Sequence, residues 1–154
     1  MRPADISIRK FEKKDAKAVS GIIRGNLTAA GCKDYSETVI NHMYEIYSPE
    51  YISKLSQWRK VYVALADDVV VGTAGLEGDT IHDVFVAAEY HNKGIGKKLM
   101  ELLEEIASNV GMGSVKVTAG TSTRQFYERL GYKAVGEAES EEAGKGIIME
   151  KMIF

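Results

Sequence analysis

Cysteine and proline are scarce in this sequence of 154 residues, which holds one cysteine, Cys32, and two prolines. A single cysteine excludes an intrachain disulfide framework and a cysteine-rich zinc site, so we expect a reducing compartment and no metal. The low proline content, with 45% hydrophobic and 27% charged residues, excludes a disordered chain. The length fits one compact unit, and we predict a single domain over residues 1–154.

Excess positive charge and long apolar runs are also absent. The 20 Lys and Arg residues against 22 Asp and Glu residues give a net charge of -2, which does not favour binding to a phosphate backbone. We therefore expect no nucleic-acid partner. No apolar run approaches the roughly 18 residues of a membrane span, and residues 1–10 lack the apolar stretch of a signal peptide. These features predict a cytoplasmic protein without a membrane partner.

The first 60 residues predict one strand and three helices. Ile6 and Ile8 alternate with polar residues as in a strand, and helical spacing of apolar residues follows them. A second helical region follows Asp34, and Ser48 with Pro49 marks the start of a third helix. The apolar face of that third helix is predicted to carry Ile52, Leu55 and Trp58.

The rest of the chain predicts mostly strands. Alternating residues on both sides of a turn at Asp67 and Asp68 predict a hairpin, and residues 81–86 predict a central strand that is buried on both faces. A long amphipathic helix follows and ends at Gly111. Residues 136–145 are acidic and rich in small side chains, and we interpret them as a mobile loop rather than a site.

The passage from strand to helix over residues 84–97 has the composition of an anion-binding site. The first N–H groups of a helix have no partner within the helix, and Gly94 and Gly96 allow a phosphate to approach the backbone closely. The alternative is that the two glycines only shape a turn. The order of residues fits neither a P-loop nor the three-glycine dinucleotide fingerprint. Three lysines add positive charge at the same end: Lys93, Lys97 and Lys98.

His91, Gly94 and Gly96 resemble the signature loop of the GCN5-related N-acetyltransferase family, Arg/Gln-x-x-Gly-x-Gly/Ala, with one departure at His91. Residues 126–132 resemble a second segment of the same family, Phe-Tyr-x-x-x-Gly-Phe/Tyr. The order of motifs and elements follows the family over nearly the whole chain. The resemblance implies an α+β (mixed α/β) fold, in which about four helices flank a central, mostly antiparallel mixed sheet of about seven strands.

The resemblance implies an N-acetyltransferase that uses acetyl-CoA as the acetyl donor. The acetyl group would pass by direct attack, in a ternary complex, to a primary amine of a small molecule or a protein. In the family the loop amides hold the pyrophosphate of coenzyme A. The cofactor-binding residues that the resemblance implies are Val84, Phe85, Val86, His91, Asn92, Lys93, Gly94, Ile95, Gly96 and Lys97.

The resemblance also implies the catalytic residues. Tyr127 stands at the position of the family tyrosine that donates a proton to the leaving thiolate. His82 is our first choice for the base, because it lies four residues before Val86 and so shares a face with Val84 and Val86 if no bulge intervenes. A bulge is common in this strand of the family and would turn Asp83 inward instead. Some relatives draw the proton through water, so the base stays open among these three.

In the family, acceptor recognition comes from the first helices and a hairpin, which here correspond to residues 34–58 and 77–79. The first region holds five aromatic residues: Tyr35, Tyr44, Tyr47, Tyr51 and Trp58. They either line an acceptor pocket or belong to the core. A homodimer is left open. The sequence departs from the family pattern at His91 and Gly120. An alternative function therefore stays open, a non-catalytic sensor or assembly module that binds coenzyme A.

Overall fold

The structure is a computed structural model and describes residues 5–29, 35–140 and 144–154. These residues form one sheet with five α-helices, where the resemblance implied about four. The strands are β1 (Ile6–Lys10), β2 (Lys60–Ala66), β3 (Val69–Glu77), β4 (Thr80–Val86), β5 (Ser114–Ala119), β6 (Lys133–Ser140) and β7 (Gly144–Met152). The helices are α1 (Ala16–Thr28), α2 (Glu37–Ile46), α3 (Pro49–Leu55), α4 (Ile95–Asn109) and α5 (Arg124–Arg129). Two short 3₁₀ turns precede α1 and α4, at Lys13–Asp15 and Ala88–Tyr90.

The seven strands follow the order β1-β2-β3-β4-β5-β7-β6. All neighbouring strands are antiparallel except β4 and β5, which are parallel. The β4–β5 pairing comprises only Thr80 with Lys116 and Ile81 with Val117. Beyond these pairs the two strands are not paired, so the sheet opens in its middle. The expected fold class and the mixed, mostly antiparallel sheet are confirmed.

Local sequence signals set most of the element boundaries. The Ser48 hydroxyl accepts a hydrogen bond from the Tyr51 N–H (3.2 Å), and Pro49 occupies the first turn of α3. Asp67 and Asp68 adopt φ angles of 46° and 71°, as a tight hairpin turn requires. Gly111 follows α4 with a φ of 89°, a conformation in which a side chain would be strained. The predicted starts and stops of these elements are confirmed.

The core is divided by the sheet into two apolar clusters. On one face α4 buries Leu99, Met100 and Leu103 completely against the strands. Its approach is close, because a Cβ at Gly72 of β3 would lie 3.3 Å from side-chain atoms of Ile95 and of Leu99. On the other face, α1, α2 and α3 form the second cluster with β2. Its buried members are Val19, Ile23, Leu27, Met43, Ile52, Val63 and Leu65.

Three expectations from the sequence are wrong. Trp58 is 53% exposed rather than part of an apolar face, because α3 ends at Leu55. In β4 only Ile81 is buried and the other residues are half-buried, because the strand borders the opening in the sheet. Residues 136–140 and 144–145 are paired in the β6–β7 hairpin rather than forming a loop. Acidic side chains at the sheet edge stay solvated while the backbone pairs.

Cys32 and Asp34 lie outside the described residues. No helix in the described ranges is long and apolar enough to cross a membrane.

Candidate active site

A cleft of about 840 Å³ opens where β4 and β5 separate. Its walls come from β4, the loop into α4, the start of α5, parts of α1 and α2, and the β6–β7 hairpin. The cleft therefore reaches both faces of the sheet. Its volume lies within the range of small-molecule sites in proteins.

The edge of β4 supplies backbone polar groups to the cleft. The Ala87 N–H donates to the Val71 carbonyl of β3 (2.8 Å), so in an antiparallel pair the polar groups of Val86 point away from β3. The Val86 carbonyl instead accepts hydrogen bonds from side chains on two other segments. Asn26 Nδ2 of α1 lies 2.9 Å from this oxygen, and His91 Nε2 lies 2.7 Å from it. His91 thus fixes the loop to the end of β4.

The loop before α4 has the backbone shape of an anion cradle. Asn92 and Gly94 adopt left-handed φ angles of 62° and 81°, which turn the chain so that α4 begins at Ile95. The unpaired N–H groups of the first helical turn then stand at the cleft wall. Gly96 allows a close approach to α5, because a Cβ there would lie 3.1 Å from Phe126 Cζ.

Of the ten residues that the resemblance implied for the cofactor, nine line the cleft and Lys93 does not. Lys97 is on the wall and is 64% exposed, with its ammonium group 3.9 Å from a Glu101 carboxylate oxygen. A charge this exposed stays available to an anionic ligand. The cradle, the lysine and the volume of the cleft fit a nucleotide-like cofactor, and the role of each residue stays a prediction.

Tyr127 lies on α5 at the wall of the cleft and is only 7% exposed. Its ring makes edge contacts with Phe126, at 5.1 Å between ring centroids, and with Tyr132, at 5.8 Å. Burial raises the pKa of the Tyr127 phenol well above its usual value, with smaller contributions from Tyr35 and the Asp83 carboxylate. The hydroxyl therefore remains protonated at neutral pH.

A bulge in β4 decides which side chains face which side of the sheet. Thr73 pairs with Phe85 and Gly75 pairs with His82, so β4 holds one extra residue, and Asp83 has a φ of 55°. Ile81 and Val84 pack in the same apolar cluster although they are three residues apart. His82 follows Ile81 directly and therefore points to the opposite face. The shared face expected for His82, Val84 and Val86 depended on an unbulged strand, and the bulge that was left open is present, so His82 does not share that face.

Asp83 is held by two side chains from the face of the sheet that α1, α2 and α3 cover. The Tyr47 hydroxyl donates to Asp83 Oδ1 (2.6 Å), and Arg59 Nη1 donates to Asp83 Oδ2 (2.8 Å). Arg59 is 13% exposed and also contacts Glu77, with 3.2 Å between Nε and Oε1. Burial and the Asp83 charge raise the pKa of Tyr47 far above its usual range. Tyr47 therefore acts as a neutral donor.

His82 and Asp83 both line the cleft. Burial lowers the pKa of His82 below its ordinary value of 6.5, and the Arg59 charge lowers it further, while Asp83 and Glu77 act in the opposite direction. His82 is therefore neutral at neutral pH. A neutral imidazole at the cleft wall is able to accept a proton.

The structure adds groups that the sequence did not single out. Arg59 and Asn26 carry no motif, and the β6–β7 hairpin that was interpreted as a loop contributes Glu139 and Lys145 to the cleft. The five aromatic residues of the acceptor region fall into three groups. Tyr35 and Tyr47 line the cleft, Tyr44 and Trp58 are exposed, and Tyr51 packs edge-on against Tyr47. Within the described ranges, no cluster of three or more His, Cys, Asp or Glu residues has a geometry that holds a metal.

Comparison with known proteins agrees with this geometry. The sequence model of the acetyltransferase (GNAT) domain matches residues 32–153. The peptidyl-lysine N-acetyltransferase YjaB of Salmonella typhimurium is 24% identical over 150 residues, which cover 97% of this chain and 98% of the relative. An uncharacterized N-acetyltransferase of Chlorobaculum tepidum is 28% identical over 141 residues, which cover 88% of this chain and 80% of the relative.

Solved structures share the fold over nearly their full length. A GCN5-related N-acetyltransferase from Rhodopseudomonas palustris superposes with a TM-score of 0.89 at 22% identity, covering 99% of this chain and 98% of the other. The PaiA N-acetyltransferase from Thermoplasma acidophilum, solved in complex with coenzyme A, gives a TM-score of 0.79 at 24% identity, covering 96% and 99%. Because the domain model spans well over half of the sequence, the family implied by the two motifs is confirmed: this chain belongs to the GNAT acetyltransferase family.

Proposed function

We propose that this GNAT acetyltransferase transfers the acetyl group of acetyl-CoA to a primary amine by direct attack in a ternary complex. Family membership supports the acyltransferase class, and the PaiA relative is solved with coenzyme A. The observation that carries the proposal is the cleft, because the loop around Gly94, the Tyr127 phenol and the His82 imidazole all line it.

The loop residues account for the binding of the donor. The N–H groups at the start of α4 and the positive end of its dipole would hold the anionic pyrophosphate of coenzyme A. Lys97 adds a positive charge at the same wall. The unpaired edge of β4 near Val84 offers backbone groups to the amides of an extended ligand. The thioester, when bound, supplies the activated acetyl group.

His82 and Tyr127 account for the two proton transfers. The amine nitrogen forms a bond to the acetyl carbon while the carbon–sulfur bond breaks. His82 takes the proton that the nitrogen loses, directly or through one water. Tyr127 gives its phenolic proton to the departing sulfur. The pKa shifts leave the imidazole unprotonated and the phenol protonated near neutral pH, while they make the imidazole a weaker base and the phenol a weaker acid.

The acceptor end of the cleft is mainly apolar and aromatic. It is lined by Leu27, Tyr35, Met43 and Tyr47. Such a wall suits an amine that carries an aliphatic or aromatic body. The Salmonella relative is named for peptidyl-lysine acetylation, so a lysine side chain belongs among the acceptors to be tested together with small-molecule amines. The cytoplasmic location and the homodimer remain predictions.

A non-catalytic coenzyme A-binding module is not favoured. The curated relatives above are named as acetyltransferases. The departure at His91 does not disrupt the loop, because the His91 ring binds the Val86 carbonyl at 2.7 Å and holds the end of β4 in place.

The test is an assay of free-thiol release from acetyl-CoA with a panel of small primary amines and lysine-containing peptides, and mass spectrometry of the products. We expect steady thiol release with at least one amine, a gain of one acetyl group on it, and intersecting initial-rate patterns, as a ternary complex requires. Cys32→Ser should retain turnover, because no cysteinyl intermediate is needed. Coenzyme A binding without thiol release across the whole panel would favour the binding module instead.

A further inference from the structure

Three separate segments of the chain meet at the Asp83 carboxylate. Tyr47 follows the end of α2, and Arg59 follows the end of α3. Both helices lie on the acceptor side of the sheet. The donor and acceptor atoms lie 2.6 Å apart for Tyr47 and 2.8 Å apart for Arg59. Helices α2 and α3, of which α2 contributes to the acceptor end of the cleft, are therefore tied to the bulge of β4 through one side chain.

Each of the two donors is itself fixed. The Tyr47 carbonyl accepts a hydrogen bond from the Ser20 hydroxyl (2.6 Å), which anchors the end of α2 on α1. Arg59 runs across Gly75, where a Cβ would lie only 2.8 Å from Arg59 Cδ. Gly75 is therefore the residue that leaves room for the guanidinium to reach β4. The Arg59 backbone N–H also binds the Leu55 carbonyl (2.9 Å).

We propose that Arg59 is a positioning residue for acetyl transfer. Together with Tyr47 it holds the Asp83 carboxylate at the bulge of β4, and we call these two hydrogen bonds the clamp. Asp83 then anchors the strand, and His82 is the base. This inference rests on the proposed function. Both Asp83 oxygens already accept hydrogen bonds, one of them from a cation, so the carboxylate is committed to the clamp. The backbone of Asp83 has a left-handed φ of 55°, and the two hydrogen bonds fix the side chain at this strained position.

The clamp also sets the charge around His82. The groups that act on the imidazole are Arg59 on one side and the carboxylates of Asp83 and Glu77 on the other. Arg59 contacts both carboxylates, so the three charges form one unit. Removing Arg59 leaves two negative charges beside His82, which favour the imidazolium. Removing the Asp83 charge leaves Arg59 paired with Glu77 alone. One of the two negative charges that favour the imidazolium is then lost, which favours the neutral ring.

The first experiment needs no turnover. The His82 imidazole is titrated by NMR in the full chain, and its signal is identified by its loss in His82→Gln. In Arg59→Met the pKa of His82 should rise above the wild-type value. The exposed Arg129 lies outside the cleft lining, and Arg129→Met, which also removes one arginine, should leave the titration unchanged. An unchanged His82 titration in folded Arg59→Met would overturn the proposal, whatever the activity of the protein.

The second experiment is the pH profile of kcat/KM. The acid limb of Arg59→Met should move to higher pH. At a pH within that limb, its kcat/KM should be about 10- to 100-fold below the wild-type value, a smaller loss than removal of a general base causes. Arg59→Lys keeps the charge and should restore the position of the limb. Asp83→Asn should keep the limb and move it to lower pH. Loss of the limb in Asp83→Asn would make Asp83 the base and refute the proposal.

Gly75→Ala provides a second route if Arg59→Met does not fold. The added methyl group displaces the Arg59 stem, so the pKa of His82 should again rise. A Gly75→Ala protein with wild-type His82 titration and wild-type pH profile would count against the clamp. If no amine supports turnover in the wild type, the proposed function fails, and the NMR titration still decides whether Arg59 controls His82.

Discussion

Replacing Tyr127 by phenylalanine removes one hydroxyl group and leaves the aromatic ring in place. The ring contacts with Phe126 and Tyr132, at 5.1 and 5.8 Å between centroids, do not involve the hydroxyl. We therefore expect little change in stability or in affinity for acetyl-CoA. Loss of a general acid should lower kcat by about 10² to 10⁴, which corresponds to about 2.7 to 5.4 kcal/mol of activation free energy.

The assay is kcat at saturating acetyl-CoA, with the cofactor affinity measured by calorimetry and the stability by urea unfolding. Tyr132→Phe is the matched control. The Tyr132 hydroxyl donates to Glu104 Oε2 (2.7 Å) and Tyr132 is not part of the cleft wall. This control should lose about 1–3 kcal/mol of stability, because a partly buried hydrogen bond to a carboxylate is removed. It should keep its turnover below the unfolding transition.

The contrast between the two variants separates catalysis from packing. The absence of a burst would show that chemistry limits the rate. Under that condition, a wild-type kcat of Tyr127→Phe at every pH would mean that Tyr127 only packs and donates no proton. A parallel loss of kcat in Tyr132→Phe would point to a general disturbance of α5. Only a loss confined to Tyr127→Phe agrees with a proton donor at the cleft wall.

Three further predictions concern other parts of the molecule. Gly96→Glu should abolish acetyl-CoA binding in calorimetry, since its side chain enters the crowded space at the start of α4. Unchanged affinity in a folded variant would mean that this loop does not hold the cofactor. His82→Ala should flatten the acid limb of kcat/KM that Asp83→Asn retains, compared across acceptor amines of different pKa. The Arg9 hydrogen bonds hold the pKa of buried Asp15 below its ordinary 3.8. The contribution of Asp15 to stability should therefore be fully present above that value and be lost as the pH falls below it. In urea unfolding, Asp15→Asn should lose less stability than the wild type between neutral and acid pH.

Local signals in the sequence were sufficient to predict most of the elements and to point to a candidate anion-binding loop. Ser48 and Pro49 start α3, and Gly111 follows the end of α4, because capping and left-handed turns depend on residues a few positions apart. The loop at Gly94 and Gly96 belongs to the same class, since the N–H groups that it presents come from the adjacent helical turn. The family motifs lie in such segments, which is why they identified the fold.

Contacts between distant residues decided the acceptor side of the site. The facing of His82 depends on a bulge, and a bulge is defined by pairing with β3 rather than by the residues of β4. Arg59 and Tyr47 reach Asp83 across 24 and 36 positions, with no periodic or motif signal to connect them.

The cleft and the β6–β7 hairpin at its rim also depend on strand pairing between distant segments. The cleft exists because β4 and β5 stop pairing after two residue pairs, a property of their divergence in the sheet. The acidic segment around Glu139 was assigned to a loop because solvated side chains are typical of loops. The backbone of that segment nevertheless pairs with β7. The sequence alone thus predicted most of the turns and a candidate anion-binding loop. Only the tertiary structure decided which side chains meet across the cleft, because those contacts depend on strand pairing and helix packing between distant segments.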